Sequence, residues 1–258
     1  MYQESTKIKA KKKFGQNFLV DENIIQKIIE IINPKNKNII EIGPGRGAIT
    51  KFLTKEAQNL ITFEIDDDMI EYLLNNNILL NSQIVKGDFL EANLSQYKNY
   101  EIVGNIPYYI TSEIIFKLLE NRHLFKRAIL LVQDEVANRL VAKKNEKDYS
   151  KLTITANYVA NIKKELFVKN KCFVPSPKVN SAIVTLEFKD NVENFNELKN
   201  FFKLCFLSRR KKLIWSLKTK YPIDKIQNAY HKNNLNEFTR IQELSLEQIV
   251  DLYYSLEK

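Results

Sequence analysis

Glycine is scarce in this chain. Six occur in 258 residues, where average usage gives about 18, and three of the six (Gly43, Gly45 and Gly47) share one five-residue window. A chain that avoids glycine has concentrated it where backbone freedom is needed. Cysteine is scarcer still: Cys172 and Cys205 are too few for a disulfide framework. The two histidines, His123 and His231, lie far apart, so a Cys/His metal site is not expected. The longest apolar run, Ala128–Val132, is far too short to span a bilayer. The lysine-rich N-terminus lacks the apolar segment of a secretory signal. These absences lead to the expectation of a reduced, cytoplasmic protein that uses no metal.

With 44% hydrophobic and 28% charged residues, the chain has enough apolar material for a sizeable core. Forty basic against 31 acidic residues leave +9, an excess that favours a polyanionic partner. The basic residues cluster. Five lysines fall within Lys7–Lys13, among them Lys11, Lys12 and Lys13. Arg209, Arg210, Lys211 and Lys212 are consecutive, and a third group holds Lys163, Lys164, Lys169, Lys171 and Lys178. Any one cluster taken alone also fits a solvated face.

Strand and helix signals alternate along the first two thirds. Asp21 caps a helix bearing Ile24, Ile25, Ile28, Ile29 and Ile32, and Asn33-Pro34 ends it. Asn38–Ile42 reads as a buried strand feeding the glycine window, followed by a helix over about 48–57. Leu60–Phe63 is a second strand, ending at Glu64, with a helix from Asp67. Gln83–Val85 is a third, ending near Asp88, and Tyr100–Val103 a fourth, ending at Asn105. Thr111 or Ser112 caps the next helix. Arg127–Val132 is a fifth strand, with a helix through Leu140. This alternation predicts a parallel, doubly wound α/β sheet. Thr153–Val159 and Ala182–Phe188 read as two more strands closing it as an antiparallel pair. After Lys189 apolar residues recur at helical spacing (Phe201, Leu204, Cys205; Leu213, Leu217; Leu246, Ile249, Val250, Tyr253). The expected division is therefore 1–190 and a small helical domain, 191–258.

Open α/β sheets bind ligands at the carboxyl ends of their strands, and four such ends carry signals. Glu41-Ile-Gly-Pro-Gly-Arg-Gly47 lets backbone approach a ligand, a pattern shared by NAD proteins and methyltransferases. Glu64, 21 residues after Gly43, can accept hydrogen bonds from a ribose diol. Asp88, in Lys86-Gly-Asp-Phe89, can bind an adenine amine, although alone it reads as a turn residue. The fourth end, Gly104-Asn-Ile-Pro-Tyr-Tyr109, decides between the readings. An exocyclic adenine amine is a poor nucleophile because its lone pair is delocalised into the ring. The Asn105 side-chain oxygen and the Ile106 carbonyl can accept hydrogen bonds from its two N–H groups, Pro107 stiffens the turn, and Tyr108 can stack on the base. The electrophile would be a sulfonium methyl, and the protein's task positioning.

With these motifs in this order, the sequence resembles the S-adenosylmethionine-dependent ribosomal RNA adenine N6,N6-dimethyltransferases. Lys13-Phe-Gly-Gln-Asn-Phe-Leu19 matches that family's N-terminal motif, and Phe173-Val-Pro-Ser-Pro-Lys-Val179 its later aromatic–proline motif. The match runs from about Lys11 to the end of the chain. The resemblance implies a Rossmann-like methyltransferase sheet with a small C-terminal all-helical RNA-binding domain. It places Asn17 and Leu19 beside the cofactor's methionine end, Gly43 and Gly45 beneath it, Glu64 at the ribose, Asp88 at the adenine amine and Asn105 between cofactor and target. Phe173 and Tyr108 would sandwich the target base, and Lys11, Lys12, Lys13 and Arg209 to Lys212 would meet RNA.

One branch of the family dimethylates two adjacent adenines in a hairpin near the 3′ end of small-subunit (16S) rRNA. A second modifies a large-subunit adenine and gives macrolide-type resistance, and a third is the mitochondrial transcription-factor branch. Ile106 suits the second branch slightly better. Gly43-Pro-Gly45, Gln133–Leu140 and Ser208–Leu213 favour the first. Ser150 and Lys169–Lys171 depart from the first branch's pattern. The implied enzyme is a monomer that transfers four methyls to two adenines, with the small ribosomal subunit as partner and no membrane. A ribosome-assembly factor acting mainly by binding is the rival from another class.

Overall fold

In the computed structural model, which describes residues 9–257, the chain divides into two units. The first runs to Ala137 and resumes at Lys163–Phe188; the second holds Asn138–Ile162 and everything from Lys189. The last crossing falls between Phe188 and Lys189. The segment 138–162, which the sequence pattern assigns to the first domain, groups with the C-terminal helices instead. The reason is visible in the packing: Tyr149 and Ile154 are buried in one cluster with Leu198, Phe201 and Phe202.

The first unit contains a two-stranded ribbon, β1 (Phe18–Leu19) with β8 (Phe173–Val174), in which Leu19 faces Phe173. Its main sheet holds β2 (Asn38–Ile42), β3 (Asn59–Glu64), β4 (Ile84–Lys86), β5 (Tyr100–Asn105), β6 (Phe125–Gln133), β7 (Ala160–Val168) and β9 (Ser181–Phe188). The order is β4-β3-β2-β5-β6-β9-β7. The first five strands are parallel, and β9 runs antiparallel to β6. From β2 the chain proceeds one way to β3 and β4, then crosses to β5 on the other side. That reversal opens a crevice at the carboxyl edge between β2 and β5.

The helices follow from local chemistry. α1 (Glu22–Ile32) starts where the Asp21 carboxylate accepts from the Ile24 N–H at 3.1 Å. It buries Ile25, Ile28, Ile29 and Ile32 and stops at Asn33, whose φ of 46° is left-handed. α2 (Thr50–Glu56), α3 (Asp67–Asn75), α4 (Thr111–Glu120) and α5 (Asp134–Val141) continue the alternation, which is broken once, between β4 and β5, where turns replace a helix. Thr111 is not the cap expected of it. It is the first helical residue, and its hydroxyl donates back to the Pro107 and Tyr108 carbonyls.

Thr153–Val159 is a helix, not a strand: α6 spans Lys151–Val159. Its β-branched residues raise strand propensity, but six of its nine residues are buried and none is exposed, so no polar face marks a helical period. The Thr155 hydroxyl bonds the Lys151 carbonyl one turn back. Ser150 precedes α6 in extended backbone (φ −151°), a conformation any residue adopts, so a glycine is not needed there. The rest of the second unit is α7 (Phe195–Cys205), α8 (Leu213–Leu217), α9 (Ile223–Lys232) and α10 (Leu246–Glu257). Among the described residues, no helix is long and apolar enough to cross a membrane.

Candidate active site

The sheet order turns four separate sequence signals into one row. Asp88 follows β4, Glu64 ends β3, Glu41 and Gly43 end β2, and Asn105 ends β5. These strands are consecutive neighbours. Three strand spacings of about 4.8 Å put the outer members ~14 Å apart, the reach of a nucleoside joined to an amino acid. All of these residues line one cleft in the first unit, with Phe14 to Leu19 also on its wall.

At β2, Gly43 has φ 67° and no atom lies within 4 Å of where a Cβ would stand. The left-handed turn needs glycine, and the open space admits a ligand against bare backbone. Gly47 is needed for a different reason: a Cβ there would meet Ile78 Cγ2 at 2.9 Å. Glu64 is buried; its Oε1 accepts from the Ile65 and Asp66 N–H groups, each at 2.9 Å, and Oε2 from Gly45 N–H at 3.3 Å. Burial pushes its carboxyl up, and these three donors oppose the rise. Asp88 commits Oδ1 to the Leu90 N–H at 2.8 Å and lines the cleft.

Glu41 also lines the cleft. It is 3% exposed, and its Oε2 is without a hydrogen-bond partner. Burial, with Glu64 adding to it, pushes its carboxyl up to about 8. A cleft bearing three carboxyl groups, one of them with an oxygen left unpartnered, fits a cationic ligand that also carries hydroxyls and an amine. No cluster of His, Cys, Asp and Glu suited to a metal occurs among the described residues.

The turn after β5 is braced from several sides. The Ile106 N–H donates to the Leu131 carbonyl at 3.0 Å. The Tyr108 hydroxyl pairs with Ser181 Oγ at 2.7 Å. Asn105 Nδ2 donates to the Asn17 carbonyl at 2.9 Å, which fixes the amide's orientation and leaves Oδ1 as an acceptor. Asn105, Ile106, Pro107, Tyr108 and Tyr109 all line the cleft, and Tyr109 is 59% exposed.

The segment 11–19 is strapped across the same cleft. Asp66 is its latch: Lys11 Nζ lies 2.5 Å from Oδ1, and Gln16 Nε2 donates to Oδ2 at 2.8 Å. Lys11 also pairs with Asp68 at 2.7 Å. Burial acts to raise the Asp66 carboxyl, but Lys11, Gln16 and the Asp68 N–H outweigh it and hold it low.

Several expected residues fall elsewhere. Phe173 is 2% exposed, packs in the hydrophobic core with Leu19 and Cys172, and does not line the cleft. Its ring offers no open face to a base here. Of the expected pair Phe173 and Tyr108, only Tyr108 lines the cleft, with Tyr109 beside it. Lys11 is engaged in ion pairs with Asp66 and Asp68, whereas Lys12 and Lys13 are exposed; Lys7 lies outside the described residues. In the second unit Arg209 donates to the Tyr149 carbonyl at 3.1 Å. Lys212 lies 4.0 Å from the Phe238 ring and 3.7 Å from Glu237. That leaves Arg210 and Lys211 as the exposed members of the run. Lys163 and Lys164 are paired with Glu165 and Asp134.

Glu41, Gln16, Asp66 and Tyr109 carry no individual role in the sequence pattern. A charged residue inside the apolar run Asn38–Ile42 is a visible signal for Glu41. The latch has none, because Lys11 and Asp66 are 55 positions apart.

Comparison with known proteins agrees with this geometry. Residues 7–258 match the family model for ribosomal RNA adenine dimethylase. The ribosomal RNA small subunit methyltransferase A of Mycoplasmopsis synoviae is 47% identical over 248 residues, covering 95% of this chain and 96% of that protein. The crystal structure of a dimethyladenosine transferase from Plasmodium falciparum matches with a TM-score of 0.81 at 29% identity, covering 91% of this chain and 95% of the other. That of the 23S rRNA methyltransferase ErmE matches with a TM-score of 0.70 at 27% identity, covering 94% and 100%.

Proposed function

From its membership of the ribosomal RNA adenine dimethylase family, we propose that this chain dimethylates the N6 amines of two adjacent adenines in a hairpin loop near the 3′ end of small-subunit (16S) rRNA during subunit maturation. It is an S-adenosylmethionine-dependent enzyme. Kinship favours the small subunit: 47% identity to a small-subunit methyltransferase against 27% to a large-subunit one. The observation that carries the chemistry is Asn105 at the switch point of the sheet, its amide held by the Asn17 carbonyl so that Oδ1 is left to accept.

The cofactor supplies the sulfonium methyl. Glu64 would hold its ribose, Asp88 its adenine amine, and Gly43 and Gly45 its methionine end, with Asn17 and Leu19 alongside. Asn105 Oδ1 and the Ile106 carbonyl accept from the two N–H groups of the target amine and so keep its nitrogen lone pair aimed at the methyl. Pro107 and Tyr108 hold that turn, and the Tyr108–Ser181 bond keeps the ring in place. The target adenine must leave its stack to enter, at a cost of about a few kcal/mol that is least in a loop. Residues 191–258 supply RNA contacts through Arg210 and Lys211, and Lys12 and Lys13 add to them. We further read the enzyme as a cytoplasmic monomer. Incubation with unmodified small subunits and S-adenosylmethionine, followed by mass spectrometry of the rRNA, should show two dimethyladenosines in one 3′-terminal hairpin. Methylation confined to large-subunit RNA would overturn the assignment.

A further inference from the structure

The second unit leaves two large aromatic rings in water. Trp215 is 60% and Phe238 64% exposed. Scattered exposed apolar side chains are ordinary, but these two are organised. Lys212, Trp215 and Lys218 are spaced three apart at α8, and residues three apart are neighbours on a helix surface. Lys218 Nζ lies 5.4 Å from the Trp215 ring and Lys212 Nζ 4.0 Å from the Phe238 ring. The Leu213 N–H donates to the Thr239 carbonyl at 2.8 Å, which holds the turn bearing Phe238 against the start of α8. The result is a stripe of alternating ring and cation. Arg210 and Lys211 are exposed just before it, and Glu237, 3.7 Å from Lys212, is the acidic neighbour.

Phosphate binding alone would need the cations and leave the rings idle. A protein partner would be expected to bury such rings in an apolar surround, whereas here each ring carries a lysine. Unpaired nucleotides use both parts, since every base has a π-face and every phosphate a charge. We propose that this face of the second unit binds unpaired nucleotides of rRNA by stacking bases on Trp215 and Phe238, a site distinct from the cleft that takes the target adenine. The proposal rests on the reading that the chain acts on rRNA and adds to it a second class of RNA contact.

Trp215 is the chain's one tryptophan, so its fluorescence reports the site directly. Titration of the full chain with a single-stranded oligoadenylate should quench it, and a fully paired RNA duplex should quench it far less. With unmodified small subunits, Trp215→Ala should weaken binding about tenfold or more, and Trp215→Phe should restore most of the loss. Stacking releases no counterions, so the log–log salt slope should stay that of the parent. Equal quenching by duplex, or unchanged subunit affinity in both Trp215→Ala and Phe238→Ala, would overturn the proposal. So would quenching by subunits but not by protein-free rRNA, which would assign the face to a ribosomal protein. Mass spectrometry of the rRNA tests the methylation reading separately: normal dimethylation without quenching sinks this inference alone.

Discussion

Glu41 ends an apolar strand inside a cleft that otherwise gathers acceptors, and burial lifts its carboxyl to about 8 from an ordinary 4.5. A raised folded-state value means the folded protein keeps this proton where the unfolded chain has lost it. The stabilisation is therefore complete below about 4.5 and is lost as pH rises to about 8. Glu41→Gln keeps the group neutral at every pH. In thermal melts without cofactor the parent should lose stability between pH 5 and 8.5, on the order of a few kcal/mol, while the variant stays nearly flat. A cationic cofactor favours the carboxylate, so parent affinity should tighten as pH rises toward 8 and the variant's should not. Calorimetric titration across pH reads both; parallel profiles would mean that Glu41 does not sense the cofactor. Asn105 makes the opposite case, a group whose proposed role lies in the transition state. Asn105→Ala should leave cofactor affinity near the parent's and cut turnover by about 100- to 1,000-fold, the cost of one positioned polar contact. Near-parent turnover in single-cycle assays would sink the amine-positioning role.

At the scale of elements, the strap over 11–19 walls the cleft, and the β1–β8 ribbon ties its end to Phe173. Asp66 holds the strap through Lys11 and Gln16, while its N–H holds Glu64. Asp66→Asn should raise the KM for S-adenosylmethionine severalfold with a smaller change in kcat, and amide exchange in 11–19 should quicken. An unchanged KM would make the latch ornamental. Phe173, buried in the ribbon's core, sets a packing test. Phe173→Ala should cost about 3–5 kcal/mol of stability, Phe173→Leu much less, and Phe173→Trp should overpack by about 1–3 kcal/mol. A base-stacking role would reverse the last two in an activity assay. The elements themselves were largely legible. Strand ends marked by Gly43, Glu64, Asp88 and Asn105 fall where chain order places them, because each apolar run is short and ends at a polar or glycine residue. α6 was not legible, because a helix buried on all sides has no polar stripe and its threonines mimic a strand. The strap was legible only as a motif; its latch depends on a pairing that no local pattern encodes.

For the whole molecule, the +9 charge matters through the cations left over after internal pairing. The sequence shows four consecutive cations at 209–212, and successive residues about 100° apart cannot share one face. The fold divides them: Arg209 is spent on the Tyr149 carbonyl and Lys212 on Phe238 and Glu237, while Arg210 and Lys211 remain exposed. Which pair would remain was not readable beforehand, because Tyr149 reaches Arg209 from 60 residues away. Counterion release then gives a prediction that separates the two pairs. Each phosphate that a variant no longer neutralises takes roughly 0.7–0.9 off the magnitude of the log–log salt slope. Arg210→Ala with Lys211→Ala should flatten the slope for subunit binding by roughly 1.4–1.8, leaving cofactor affinity and thermal stability unchanged. Arg209→Ala should instead lower stability, since the part-buried Tyr149 carbonyl loses its charged donor, at about 1–3 kcal/mol, with little change in slope. Binding assays from low to moderate salt, run beside thermal melts, distinguish the outcomes. A slope that moves only with Arg209 would mean that the run meets RNA through the residue folded against Tyr149, and that this hydrogen bond opens on binding.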